Sequence, residues 1–176
     1  MSLNKKQIEY LKKYKFEKNL ILIWNPWTWK TFIMKEFFKR LPKNEWTLNK
    51  FWMDDWKFRE LITSGSMTLK KPEDFKASIL HYPLEMMIRV KVLFFDDLWA
   101  SENISEAQKT KLKFILDERE KNKLITIYSS NLSPENFENL YWQRIKSRIF
   151  NWKHPKWLDI LLVEGEDRRK ENINTI

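Results

Sequence analysis

The chain contains no cysteine and only two glycines among its 176 residues. Without cysteine, disulfide scaffolds, thiolate metal sites and cysteine nucleophiles are excluded. Nor is there an apolar run of the roughly 18 residues that a membrane span needs. Residues 1–18 form a lysine-dotted amphipathic stretch without the apolar core of a signal peptide, so the expectation is a cytoplasmic protein with no membrane association. The glycine shortage is the unusual feature, because an ordinary share of about 7% corresponds to about 12 glycines in a chain of this length. Tryptophan is correspondingly abundant, with 10 residues. Glycine is needed where φ is positive or where backbone must approach a ligand closely, and tryptophan is the least suitable replacement at either kind of place.

The rest of the composition is that of a folded domain. Hydrophobic residues make up 43% of the chain and aromatic ones 15%, too many for a disordered segment. A chain of 176 residues can bury one sizeable core, which sets the expectation of a single domain. Lys and Arg total 33 against 24 Asp and Glu, a formal net charge of +9 that suits a polyanionic partner without selecting one. His81 and His154 have no metal-ligand spacing and read as ordinary residues.

Hydrophobic patterning predicts alternating strands and helices. Asn19–Ile23 (NLILI) is a continuous apolar run, the mark of a buried strand, and residues 31–41 follow with helical spacing up to Pro42. Residues 46–53 read as a second strand, 54–62 as a helix, 63–71 as a polar loop around Gly65, and 72–81 as a helix. Residues 89–95 (RVKVLFF) form a buried strand ending in a pair of acids, and 105–122 an amphipathic charged helix. Residues 124–129 (LITIYS) read as a further strand, 141–150 as a basic helix and 158–163 as a closing strand. This alternation predicts an α/β fold, a mostly parallel sheet with helices on both faces, in which ligands sit beyond the carboxyl ends of the strands.

The loop after the first strand carries the strongest chemical signal. It reads Trp24, Asn25, Pro26, Trp27, Thr28, Trp29, Lys30, Thr31, and glycine at 24, 27 and 29 turns it into GNPGTGKT, a Walker A pattern. That loop needs glycine because its backbone N–H groups converge on phosphates at dihedrals and distances that leave no room for a side chain. In a loop of that kind Lys30 contacts the β- and γ-phosphates of ATP and the Thr31 hydroxyl holds Mg²⁺. The same replacement makes DDLG of Asp96-Asp97-Leu98-Trp99, YGQR of Tyr141-Trp142-Gln143-Arg144 and the turn dipeptide Asn-Gly of Asn151-Trp152. One cause explains all of these: UGA codons read as glycine in the source organism and translated as tryptophan in this sequence. Trp46, Trp52, Trp56 and Trp157 lie outside motifs. The alternative is an aromatic turn that happens to precede Lys-Thr.

Leu93-Phe94-Phe95-Asp96-Asp97 is a Walker B pattern, in which the first acid serves Mg²⁺ and the second orients and deprotonates a water. By itself a pair of acids after a strand is equally a turn or a helix start. Asn131, in Ser129-Ser130-Asn131-Leu132-Ser133-Pro134, is placed to hold a γ-phosphate or the attacking water, or else simply to cap the next helix. Arg144 and Arg148 lie four apart on one helix, while Arg168 and Arg169 follow the last strand. Each is either a phosphate-directed charge or part of a solvated basic face.

Taken together, NLILIWNPWTWKT at 19–31, VLFFDDLWASE at 92–102, FILDERE at 114–120, SSNLSP at 129–134 and YWQRIKSRI at 141–149 resemble, in order, the DnaC/IstB family of AAA+ ATPases, the bacterial helicase loaders and transposition helper ATPases. The resemblance implies a P-loop NTPase (AAA+) core over residues 19–176, preceded by a short helical extension over 1–18. It matches residues 24–31 to Walker A, with Lys30 on the phosphates and Thr31 on the metal, and Asp96 and Asp97 to Walker B. It further matches Asn131 to sensor 1, Arg148 to an arginine finger acting in trans on a neighbour's ATP, and Arg169 to sensor 2. The activity implied is ATP hydrolysis, with ATP and Mg²⁺ as ligands. The partners implied are single-stranded DNA, further copies of the chain in a homo-oligomer, and a replicative helicase or a transposase.

Three readings follow: an ATPase that loads a helicase or assists a transposase, a nucleotide-blind basic scaffold, and a DNA-binding module without enzymology. The first needs glycine at 24, 27 and 29. In protein isolated from its own organism, the tryptic peptide of residues 19–30 is expected to be lighter than written by three Trp-to-Gly replacements. A peptide mass that fits three tryptophans defeats the recoding.

Overall fold

The structure, a computed structural model, describes residues 5–23, 30–42, 49–65, 83–98, 104–131, 143–149 and 158–162. In chain order the elements are α1 (Lys5–Lys13), β1 (Asn19–Ile23), α2 (Lys30–Arg40), β2 (Lys50–Asp54), α3 (Asp55–Thr63), α4 (Pro83–Arg89), β3 (Val92–Leu98), α5 (Glu106–Lys121), β4 (Ile125–Ser130), α6 (Gln143–Ile149) and β5 (Leu158–Leu162). The strands form one five-stranded sheet in the order β2-β3-β4-β1-β5, and every pairing is parallel. The expected α/β alternation is therefore present.

Strand alternation sorts the apolar residues of the central strands onto two faces. Leu20 and Leu22 of β1, Val92 and Phe94 of β3 and Ile127 of β4 face a core with Tyr14 and with Ile33, Met34 and Phe37 of α2. Ile21 and Ile23, Leu93 and Phe95, and Tyr128 face the opposite core, built with residues of α3, α4, α5 and α6. Both faces are covered by helices, which is why these strands read as unbroken apolar runs. In α2 the buried set is Lys30, Ile33, Met34 and Phe37, and in α5 it is Leu112, Ile115, Leu116 and Arg119, each the 3.6-residue stripe of a helix lying on a sheet.

The element ends follow local chemistry. Ser105 and Gln108 form a reciprocal capping box at the start of α5. At its end Leu124 N–H bonds to Arg119 O and Lys123 N–H to Glu120 O, with Lys123 at φ +53°. This is a Schellman stop with lysine where glycine is usual. Asp54 ends β2 and caps α3, its carboxylate accepting from Lys57 N–H at 2.8 Å. After α3, Gly65 takes φ +71°, a conformation that suits glycine. Arg40 ties α2 to α1, donating to Leu11 O and, at 3.0 Å, to Tyr14 O, while its guanidinium lies over the Phe16 and Phe37 rings.

Two sequence expectations are adjusted, and a third is untested. The strand expected over 89–95 is Val92–Leu98, so the acids lie inside the strand and Arg89 belongs to α4, a helix that the patterning missed. Short α4 buries Leu84, Glu85, Met86, Met87 and Ile88 in succession, so it shows no polar face from which a helical period could be read. The strand expected over 46–53 is Lys50–Asp54, with 43–48 outside the described residues. The helix expected over 72–81 also lies outside them.

Arg119 is the main polar strut of the interior. At 2% exposure its guanidinium donates to Met87 O at 2.6 Å and Val90 O at 3.1 Å behind α4, to Ile125 O at 2.5 Å and to the Thr126 hydroxyl at 2.8 Å. Burial lowers its pKa to about 10, still well above neutrality, so the charge persists and is shared among these acceptors. Arg119→Met keeps the volume and strands the carbonyls, and is expected to cost about 3 kcal/mol in urea unfolding. A loss below about 1 kcal/mol, the net worth of a single ordinary hydrogen bond, would show that the strut is dispensable.

Candidate functional site

The parallel arrangement brings the carboxyl ends of β1, β3 and β4 to one edge of the sheet, where α2 begins. Five residues singled out in the sequence meet there. Lys30 and Thr31 open α2, Asp96 and Asp97 lie near the end of β3, and Asn131 directly follows β4. The Lys30 ammonium donates to Asn131 Oδ1. Asn131 Nδ2 donates in turn to Asp97 Oδ1 at 2.9 Å. The Thr31 hydroxyl donates to Asp96 Oδ1 at 3.2 Å, and the same oxygen accepts from the Ser129 hydroxyl at 2.5 Å and from Asp97 N–H at 3.1 Å.

The pairing register explains how two consecutive strand residues both reach this corner. Phe95 pairs with Tyr128 and Leu98 with Ser130, so β3 has one residue more than β4 across the interval and Asp96 and Asp97 together oppose Ser129. The extra residue is a β-bulge, and Asp97 adopts φ +50° within it. A regular strand would send the two side chains to opposite faces.

The electrostatics are those of a charge cluster partly removed from water. Burial, only partly offset by the carboxylates of Asp97 and Asp96, lowers the Lys30 pKa to about 8. Burial also raises the Asp97 carboxyl above the usual carboxylate range, and the adjacent Asp96 charge adds to the effect. Lys30 and the Asn131 hydrogen bond pull in the other direction, while the charge of Asp54 at the end of β2 pushes Asp97 up slightly further. Asp54 stands beside Asp96 in the β2–β3 register, a placement that no spacing in the sequence announces.

The donor set fits the ligands expected of it. Thr31 Oγ1 and Asp96 Oδ1 are hard oxygen donors 3.2 Å apart, close to the about 2.9 Å between adjacent ligands of an octahedral Mg²⁺. Among the described residues no cluster of three or more His, Asp or Glu could hold a metal, and Mg²⁺ on a nucleotide requires only one or two protein oxygens. Lys30 is a buried cation that donates to a neutral amide and lies within the field of Asp97 and Asp96.

The other expected site residues are not brought into view. Residues 24–29 and Arg169 lie outside the described residues. Arg148 lies in α6, its side chain outside the description, and Arg144 on the same helix is exposed. Ser129 was missed as a functional group, although a serine in an apolar strand next to an acid-bearing strand is a readable signal.

No family model and no curated protein matches the sequence. Solved structures do match in fold. DnaI aligns at 19% identity with a TM-score of 0.60, over 91% of this chain and 82% of that one. The DnaC helicase loader aligns at 19% identity with a TM-score of 0.57, over 90% and 86%. The replication initiator DnaA bound to AMPPCP and single-stranded DNA aligns at 16% identity with a TM-score of 0.57, over 98% of this chain and 51% of that one. The chain has the α/β P-loop NTPase fold of AAA+ type that these proteins share, and its resemblance to the DnaC/IstB group holds at the level of fold. Among the described residues no helix is long and apolar enough to cross a membrane.

The buried lysine gives the site a pH signature in the unliganded chain. The unfolded chain keeps the Lys30 proton up to about 10.5 and the folded chain gives it up at about 8. Between these values the unfolded state binds more protons, so the Lys30 contribution makes stability rise with pH across that window. Urea unfolding of the parent and of Lys30→Met from pH 7.5 to 10.5 is expected to show this rise in the parent alone; parallel curves would exclude a lysine held in this way.

Proposed function

We propose that the chain is an ATP-hydrolysing AAA+ protein that assembles on single-stranded DNA and loads or remodels a partner, a replicative helicase. The observation that carries this reading is the meeting of Lys30 and Thr31 with Asp96, Asp97 and Asn131 at the carboxyl edge of a parallel sheet. Support for the partners is coarser: a net charge of +9, a fold shared with a helicase loader, and a fold shared with an initiator bound to a nucleotide analogue and single-stranded DNA.

In this reading Lys30 leaves Asn131 to bind the β- and γ-phosphates, where its low-dielectric setting strengthens the attraction. Thr31 and Asp96 hold Mg²⁺, which when bound supplies charge neutralisation on the phosphate oxygens. Asp97, a carboxylate with a raised proton affinity, orients the attacking water and takes its proton as the bond between the γ-phosphorus and the β–γ bridging oxygen breaks. Asn131 Oδ1, released from Lys30, accepts from the attacking water, while the second Nδ2 hydrogen, beside the one given to Asp97, serves the γ-phosphate. Residues 24–29, with glycine at 24, 27 and 29, form the cradle. Arg148 completes the site from a neighbouring copy, and Arg169 contacts the phosphates within the chain.

The test uses the chain bearing Trp24→Gly, Trp27→Gly and Trp29→Gly beside the chain as written. The glycine form is expected to bind and hydrolyse ATP, Lys30→Ala in it to lose binding, and Asp97→Asn to keep binding with turnover down about 100-fold or more. Its affinity for single-stranded DNA is expected to rise with ATP. A glycine form that binds no ATP sinks the proposal in favour of the nucleotide-blind scaffold, and recovery of a transposase rather than a helicase from native lysate reassigns the partner.

A further inference from the structure

We infer that Ser129 is the positioning residue of the acid pair, its hydroxyl bridging Asp96 and Asp97 across the bulge so that one acid is turned to Thr31 and the other to Asn131. The inference deepens the ATPase reading and rests on it for its effect on turnover, while its geometric part stands on the described contacts.

A bulge takes one N–H out of the strand ladder, and a backbone donor near the interior must find another acceptor. For Asp97 N–H that acceptor is Ser129 Oγ at 2.8 Å, with a second, longer contact to Asp96 Oδ1 at 3.1 Å. The Ser129 hydroxyl in turn donates to Asp96 Oδ1 at 2.5 Å. A hydroxyl is the smallest side-chain group that can accept and donate at once. Ser129 is 1% exposed, so water has little access to take its place. The two bonds have separate consequences. The bond from Asp97 N–H holds the left-handed backbone at φ +50°, a conformation uncommon outside glycine though more accessible to aspartate than to most residues. The bond to Asp96 fixes the carboxylate rotamer that also meets Thr31. Without the hydroxyl, Asp97 N–H keeps only its longer bond to Asp96 Oδ1, and the extra residue of β3 is held less firmly in the direction that meets Asn131.

The experiment compares Ser129→Ala, Ser129→Thr and Ser129→Val in the glycine-bearing chain, with amide hydrogen exchange and steady-state ATP hydrolysis as readouts. Thr keeps the hydroxyl, and Val has the shape of Thr without it, so this pair isolates the bond even if Ser129→Ala does not fold. The Asp97 amide is expected to exchange about 10-fold faster in the Ala and Val variants and within about twofold of the parent in the Thr variant, with Ile127 and Tyr128 unchanged. Turnover is expected to fall about 10-fold or more in Ala and Val at unchanged KM for ATP, and to recover in Thr, a split that general loss of folding would not produce. An Asp97 amide that exchanges equally slowly in parent and Val variant overturns the positioning role, whatever the turnover. Faster exchange in the Ala and Val variants of a parent that hydrolyses no ATP leaves the geometry standing and removes the ATPase reading instead.

Discussion

The arrangement on which the site depends is a single oxygen, Asp96 Oδ1, that accepts from a hydroxyl on α2, a hydroxyl on β4 and a backbone N–H of its own strand. Three elements that share no local sequence are tied at that atom. A carboxylate with 6% exposure needs such partners, because a buried charge without donors would neutralise or force the site open. Asp97 is the contrasting case. It stands one residue along, is half-buried, has fewer donors, and feels Asp96 as a like charge. Burial and that neighbouring charge raise the Asp97 carboxyl above the usual carboxylate range.

The rest of the molecule serves to keep that edge in place. Two apolar cores, one on each face of the sheet, hold β1, β3 and β4 in register. Polar groups inside those cores are bonded with economy. Arg119 closes the end of α4 and the start of β4 with one guanidinium, and Asn19 Oδ1 accepts from Thr126 N–H at 2.8 Å to align β1 with β4. On the other face Lys50 of β2 donates to Phe38 O and Leu41 O at the end of α2. Its ammonium also lies over the Phe38 ring, joining helix end and sheet edge in one contact. These struts matter to the site because α2 delivers Lys30, and a small shift of its first turn would separate the lysine from Asn131.

Glycine scarcity leaves a mark on the backbone. Among the described residues Phe16, Asp97 and Lys123 adopt positive φ alongside Gly65. Phe16 packs against Tyr14 and Phe37, Asp97 N–H bonds to Ser129, and Lys123 N–H bonds to Glu120 O in the C-terminal stop of α5. The tryptophans are not all alike either. Trp52 packs as a tryptophan: its indole stacks on Phe94 at 5.9 Å and 9°, and meets Phe38 edge-on. Glycine there would leave a hole in the aromatic cluster. Trp56, on the first turn of α3, is 71% exposed.

Strand and helix order, the two-sided burial of the sheet and the identity of Lys30, Thr31, Asp96, Asp97 and Asn131 were legible in the sequence. Apolar runs, helical stripes, caps such as Ser105 with Gln108, and motif spacing are local properties that short-range physics enforces. Short α4 escaped because a buried helix of two turns carries no periodic contrast, and β3 was cut short because acids inside a strand look like its end. The bulge, the left-handed Asp97, the bridging Ser129 and the strut at Arg119 belong to the tertiary structure alone. Each depends on which residue of one strand stands opposite which residue of another, and register is decided by the packing of both cores at once, a quantity that no stretch of sequence contains by itself.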